Sequence, residues 1–92
     1  MVSRSVTVRN QLGMHARAAA RFVHAASAFE ARIRVGRGTR VVDGKSIMGV
    51  LLLAAACGSD ITISAEGADE RAAVEALCLL VESGFGEGPC AA

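Results

Sequence analysis

The chain has no tryptophan, no tyrosine and only three phenylalanines. Its interior must therefore be built from Ile, Val, Leu and Ala, and it lacks the aromatic platforms on which nucleic-acid bases stack. No charge sign dominates either: the formal net charge is +1, which gives no reason to expect a nucleic-acid or membrane partner. No apolar run reaches bilayer length, and Met1 to Val6 lacks the apolar segment of a secretory signal. No membrane insertion and a cytoplasmic location are expected. The cysteines Cys57, Cys78 and Cys90 are odd in number, widely spaced and without a Cys-x-x-Cys pair. That pattern argues against a disulfide framework and against zinc, leaving Cys78 as core and Cys90 as an incidental exposed thiol.

What is present is enough for one small domain over residues 1–92, with an ordered core over about 2–84 and a loose, Gly-rich tail at 85–92. Val2 to Arg9 alternates like a strand with one buried face, and Asn10 to Gly13 break it. From Ala16 to Phe29 the apolar positions Ala19, Phe22, Val23, Ala26 and Phe29 follow helical spacing. Two short strands, Ala31 to Val35 and Thr39 to Val42, join through Gly36-Arg37-Gly38. Ser46 offers an N-cap for a short apolar helix, Ile61 to Ala65 alternates as a strand, and Asp69 offers an N-cap for a last helix ending near Ser83. The order is βαββαβα, an α+β plan. The arginines from Arg9 to Arg40 crowd the first half and most acid lies in the second, an asymmetry suited to docking on an acidic protein partner.

The run Gly13-Met14-His15-Ala16-Arg17 carries the chemistry. It places an imidazole, a nucleophile near neutral pH, where a strand gives way to a helix. Helix N-termini present unpaired N–H groups and a positive dipole end, so an anion on that side chain is solvated in advance by amides such as that of Ala16. Arg17 adds a permanently charged fork of donors, and Gly13 allows a sharp turn before the helix. The set reads as a phosphoryl-carrying histidine. A shared metal is excluded, because His24 lies nine residues on, on the opposite side of a helix and about 13 Å along its axis.

The same run resembles the active-site motif of HPr, the histidine-containing phosphocarrier family of the bacterial phosphoenolpyruvate:sugar phosphotransferase system. Gly44-Lys45-Ser46-Ile47-Met48-Gly49-Val50 resembles the segment around that family's regulatory serine, and Ile61 to Glu70 resembles its last strand and the start of its last helix. Together these segments span most of Val2 to Gly84. One departure is Ala18, where the family usually has proline. The resemblance implies an open-faced sandwich, a four-stranded antiparallel sheet with three helices on one face. It further implies that His15 accepts a phosphoryl group on Nδ1 from phosphorylated Enzyme I and donates it to sugar-specific Enzyme IIA domains, with Arg17 and the Ala16 amide holding the phosphate. Such a protein is a carrier and not an enzyme, and it needs no cofactor or metal of its own. Ser46 becomes the acceptor for an HPr kinase/phosphorylase.

Ile47, Met48 and Leu51, rimmed by Arg21, His24 and Lys45, form the expected partner surface: an adaptable apolar patch suits a protein that docks on several partners in turn. A monomer is the default. Within the family the alternative is a regulatory phosphocarrier of a nitrogen-related branch. From another class it is a split-βαβ domain binding a small ligand or metal, which would need coordinating cysteines where this chain has Met14-His15-Ala16.

Overall fold

The computed structural model describes residues 1–90. Strand β1 (Val2–Thr7) leads through a loop to helix α1 (Ala16–Ser27), and the hairpin of β2 (Arg32–Arg37) and β3 (Arg40–Asp43) follows. The short helix α2 (Ile47–Leu52), strand β4 (Asp60–Glu66), helix α3 (Glu70–Glu82) and a 3-10 turn at Gly84–Gly86 complete the chain. The strands form one antiparallel sheet in the order β1-β4-β2-β3. This is the open-faced sandwich that the resemblance implied.

The alternation read along β4 is what sidedness requires. Ile61, Ile63 and Ala65 point into the core with Ile33 and Val35 of β2. The opposite face is polar, with Ser3 bonded to Ser64 at 2.8 Å and Thr7 donating to Asp60 at 2.6 Å. Helix α3 packs on β1 and β4, α1 packs on α3 and α2, and α2 reaches β3. Phe22 of α1 and Val74, Leu77, Cys78 and Val81 of α3 are buried between the helices and the sheet. Cys78 is thus a core residue, as its place on the apolar face of α3 indicated.

Three expectations are corrected. Asp69 does not cap α3: its side chain makes no cap hydrogen bond and instead accepts from the amides of Glu30 and Ala31 at 2.9 and 2.8 Å. It ties the α1–β2 turn to the start of α3, and those two amides hold its carboxyl below the usual carboxylate range. Residues 85–90 of the expected loose tail are tied down, the Gly88 carbonyl accepting from the Gln11 amide and the Cys90 amide donating to the Arg9 carbonyl. Phe85 is 1% exposed at a left-handed φ of 57°, and burying a phenylalanine outweighs the roughly 1–2 kcal/mol such a backbone costs. Residues 91–92 of that tail lie outside the described residues. Third, Cys90 is not a free thiol, since it is disulfide-bonded to Cys57 with Cα atoms 5.9 Å apart. Cysteine count and spacing could not reveal this pair, because 33 residues separate them and only the folded sheet brings both loops to one end.

Candidate functional site

Gly13 sets the approach to α1. It adopts φ +65°, and a Cβ there would lie 2.6 Å from the Ala55 carbonyl oxygen and 2.9 Å from Ala56 Cα. Only glycine fits. The neighbouring amide of Met14 donates to that same Ala55 carbonyl at 2.8 Å, so the β1–α1 loop is docked on the loop after α2. His15 follows as the N-cap of α1, in extended conformation, and its Nδ1 accepts from the Arg17 amide at 3.3 Å. The first backbone bond of the helix runs from the Ala19 amide to the His15 carbonyl at 2.8 Å.

The other ring nitrogen meets a residue that sequence reasoning missed. His15 Nε2 lies 2.9 and 2.8 Å from the two carboxylate oxygens of Glu87. Asn10, fully buried, holds this carboxylate and the loop together: its Nδ2 donates to Glu87 Oε1 at 3.0 Å and to the Gly13 carbonyl at 2.7 Å, while its Oδ1 finds no partner among the described residues. The hydrogen bond from His15, then that from Asn10 and the nearby charge of Arg17, hold the Glu87 carboxyl below the ordinary glutamate range. The His15 side chain is 26% exposed and that of Glu87 15%, so the ring is reachable yet fixed on two sides. The signal that could have found Glu87 was Phe85, a large apolar residue amid glycines, which has to be buried and so brings its neighbours to the site.

The ring's proton location follows from these partners. An ionised carboxylate only accepts, so Nε2 must be the donor. Nδ1 accepts from the Arg17 amide, so in the neutral ring it carries no proton and its lone pair is aimed at the N-terminus of α1. The imidazole is thus held in the Nε2–H tautomer with Nδ1 as its nucleophilic atom, facing the positive end of a twelve-residue helix.

A family model described as PTS HPr component phosphorylation site matches residues 2–83. The chain is a member of the HPr family. The phosphocarrier protein HPr of Cupriavidus necator is 46% identical over 88 residues, covering 96% of this chain and 99% of that protein. That of Treponema pallidum is 47% identical over 87 residues, covering 95% and 99%. A crystal structure of HPr from Thermoanaerobacter tengcongensis superimposes with a TM-score of 0.91 at 44% identity, covering 95% of this chain and 98% of that one. Members of this family are phosphocarriers of the bacterial phosphotransferase system, carriers rather than catalysts.

The remaining residues that the HPr motifs singled out fall into two groups. Arg17, Arg21 and His24 lie exposed along α1, but Arg21 is engaged, its Nη1 donating to the Phe85 carbonyl. Ser46 caps α2, its Oγ accepting from the Gly49 amide at 3.1 Å. On α2, Ile47 and Met48 are exposed whereas Leu51 is partly buried against the core, and Leu52 takes the exposed place instead. Lys45 also has a structural tie, donating from Nζ to the Phe29 carbonyl at 2.7 Å just past the end of α1. Among the described residues no group of three metal-ligating side chains converges, and no helix is long and apolar enough to cross a membrane.

Proposed function

We propose that this chain carries a phosphoryl group on His15 Nδ1, taking it from phosphorylated Enzyme I and giving it to sugar-specific Enzyme IIA domains in the cytoplasm, where phosphoenolpyruvate is supplied. The observation that carries this reading is the pairing of the two ring nitrogens, Nε2 with Glu87 and Nδ1 with the α1 terminus. The Nδ1 lone pair attacks phosphorus in line as the donor's P–N bond breaks, and the electron pair of that bond returns to the donor imidazole. Arg17 and the Ala16 and Arg17 amides offset the phosphoryl charge. Glu87 stabilises positive charge on the ring when Nδ1 bonds to phosphorus, which keeps the phosphorylated imidazole a good leaving group for the next transfer. A carrier must release what it accepts, and each ~1.4 kcal/mol of extra phospho-state stabilisation lowers onward transfer about tenfold. A site at the surface suits that balance better than a deep pocket.

Ser46 we read as a regulatory acceptor for an HPr kinase/phosphorylase. Its hydroxyl stands at the first turn of α2, where amides offset added negative charge. A phosphate there would also set a dianion beside Ile47 and Met48, whose exposure supports a docking role shared by Enzyme I and Enzyme IIA domains.

Incubation with Enzyme I and phosphoenolpyruvate tests the main reading. It should yield one phosphate per chain, acid-labile and alkali-stable, that His15→Ala abolishes. An acid-stable label, or equal labelling of His15→Ala, would refute it.

A further inference from the structure

We infer that the Cys57–Cys90 bond is a redox latch on the C-terminal strap, so that the thiol state of this pair sets how firmly Glu87 holds the His15 ring. The inference about the ring stands on geometry; its consequence for phosphoryl transfer rests on the function proposed above.

Glu87 lies three residues before Cys90, with no helix or strand between them. The strap they define crosses the β1–α1 loop through the Gln11 amide to the Gly88 carbonyl at 3.0 Å, the Cys90 amide to the Arg9 carbonyl at 2.9 Å, and a bridge between Asn10 and Pro89. Cys57 sits in the α2–β4 loop, which receives the Met14 amide at Ala55 and donates from Gly58 to the Val8 carbonyl at 2.8 Å. The disulfide therefore joins the strap to the same loop on which the His15 approach is docked, closing a ring of contacts around the site. Both cysteines are partly exposed and lie in loops, so thiols reach them, whereas Cys78 is buried in α3 and cannot exchange with the pair. In a compartment kept reducing, a disulfide that does form is characteristically a sensing one.

The opening step is thiol exchange with a dithiol reductant. One of its thiolates attacks a sulfur of the Cys57–Cys90 bond to give a mixed disulfide and a free cysteine. Its second thiolate then displaces the other cysteine. Cys57 and Cys90 gain two electrons and two protons, and the dithiol becomes a disulfide. The reduced strap keeps the burial of Phe85 but loses its covalent end, so the backbone bonds at Gly88 and Cys90 open more often and Glu87 leaves the ring for part of the time.

The full chain, oxidised with diamide or reduced with dithiothreitol, tests this. Alkylation under denaturing conditions should find two fewer thiols after oxidation. Carbethoxylation of His15 by diethyl pyrocarbonate should quicken by about threefold or more on reduction, through the entropy returned to the strap, with His24 unchanged as the internal reference. Cys90→Ser should match the reduced chain and ignore reductant. Acceptance of phosphate from phosphorylated Enzyme I should slow severalfold on reduction in the unmodified chain and not in Cys90→Ser. Three alkylatable thiols after oxidation, His15 modification indifferent to reductant, or an acceptance rate unchanged by it would each overturn the latch. Since carbethoxylation needs no phosphoryl donor, a chain whose His15 responds to reductant but takes no phosphate keeps the latch and fails only the phosphocarrier reading.

Discussion

Helices α1 and α2 both begin at a residue whose side chain accepts a hydrogen bond from the first turn, His15 in one case and Ser46 in the other, and the two starts are held very differently. The Ser46 cap is local: its hydroxyl bonds Gly49 three residues on, and the Ser46 amide donates to Asp43 three residues back. The His15 cap is tertiary. Its ring is fixed by Glu87, 72 positions away, its loop is docked on Ala55, and buried Asn10 ties the two together. A hydroxyl that only has to be presented needs little around it, whereas a nucleophile whose reactive nitrogen must be chosen needs a partner on the other one.

The tertiary start is most vulnerable at Gly13. Gly13→Ala places a Cβ against the Ala55 carbonyl at a positive φ, and a loss of about 3 kcal/mol is expected in urea unfolding, together with slowed phosphoryl acceptance. At the local start, Ser46→Ala should remove about 1 kcal/mol by the loss of one cap, read by the same unfolding curves, and leave acceptance at His15 unchanged. A drop in acceptance as large as that of Gly13→Ala would erase the distinction. Ala18 sharpens it in the other direction. It lies in the first turn, before the first backbone bond of α1, so Ala18→Pro removes no helical hydrogen bond and should add roughly 0.5–1 kcal/mol by restricting the unfolded chain, a rise in Tm of a few degrees.

The smallest effect is the pH dependence of the tertiary clamp. The Glu87 carboxyl titrates below its ordinary value because His15 and Asn10 bond its charged form. The unfolded chain therefore binds that proton at higher pH than the folded one, and the stabilisation is fully present above the ordinary glutamate range and lost as pH falls through the depressed folded value. Unfolding curves of the chain and of Glu87→Gln should differ at neutral pH and converge on acidification. A difference that grows at acid pH would contradict the clamp.

These two starts also show how far the chain could be read before folding. The alternation of Ile61, Ile63 and Ala65 and the helical spacing of Phe22 and Ala26 gave the elements and their buried faces, because periodicity is a local consequence of burial. His15 as the reactive group at a helix start and Ser46 as a cap were legible from their immediate neighbours. Glu87, Asn10 and the Cys57–Cys90 pair were not, since each acquires its role from a residue dozens of positions away. Asp69 shows the opposite error: an N-cap by its position, it was drawn across the fold by two amides of the α1–β2 turn that needed an acceptor.

Glu87 and the α1 terminus together leave Nδ1 unprotonated and poised for phosphoryl transfer. Nitrogen-15 NMR of the neutral His15 ring decides this. The Nε2–H tautomer should dominate in the free protein and give way to a mixture in Glu87→Gln, with phosphorus bonded to Nδ1 after loading. A ring that carries its proton on Nδ1, or bears phosphate on Nε2, would contradict the account.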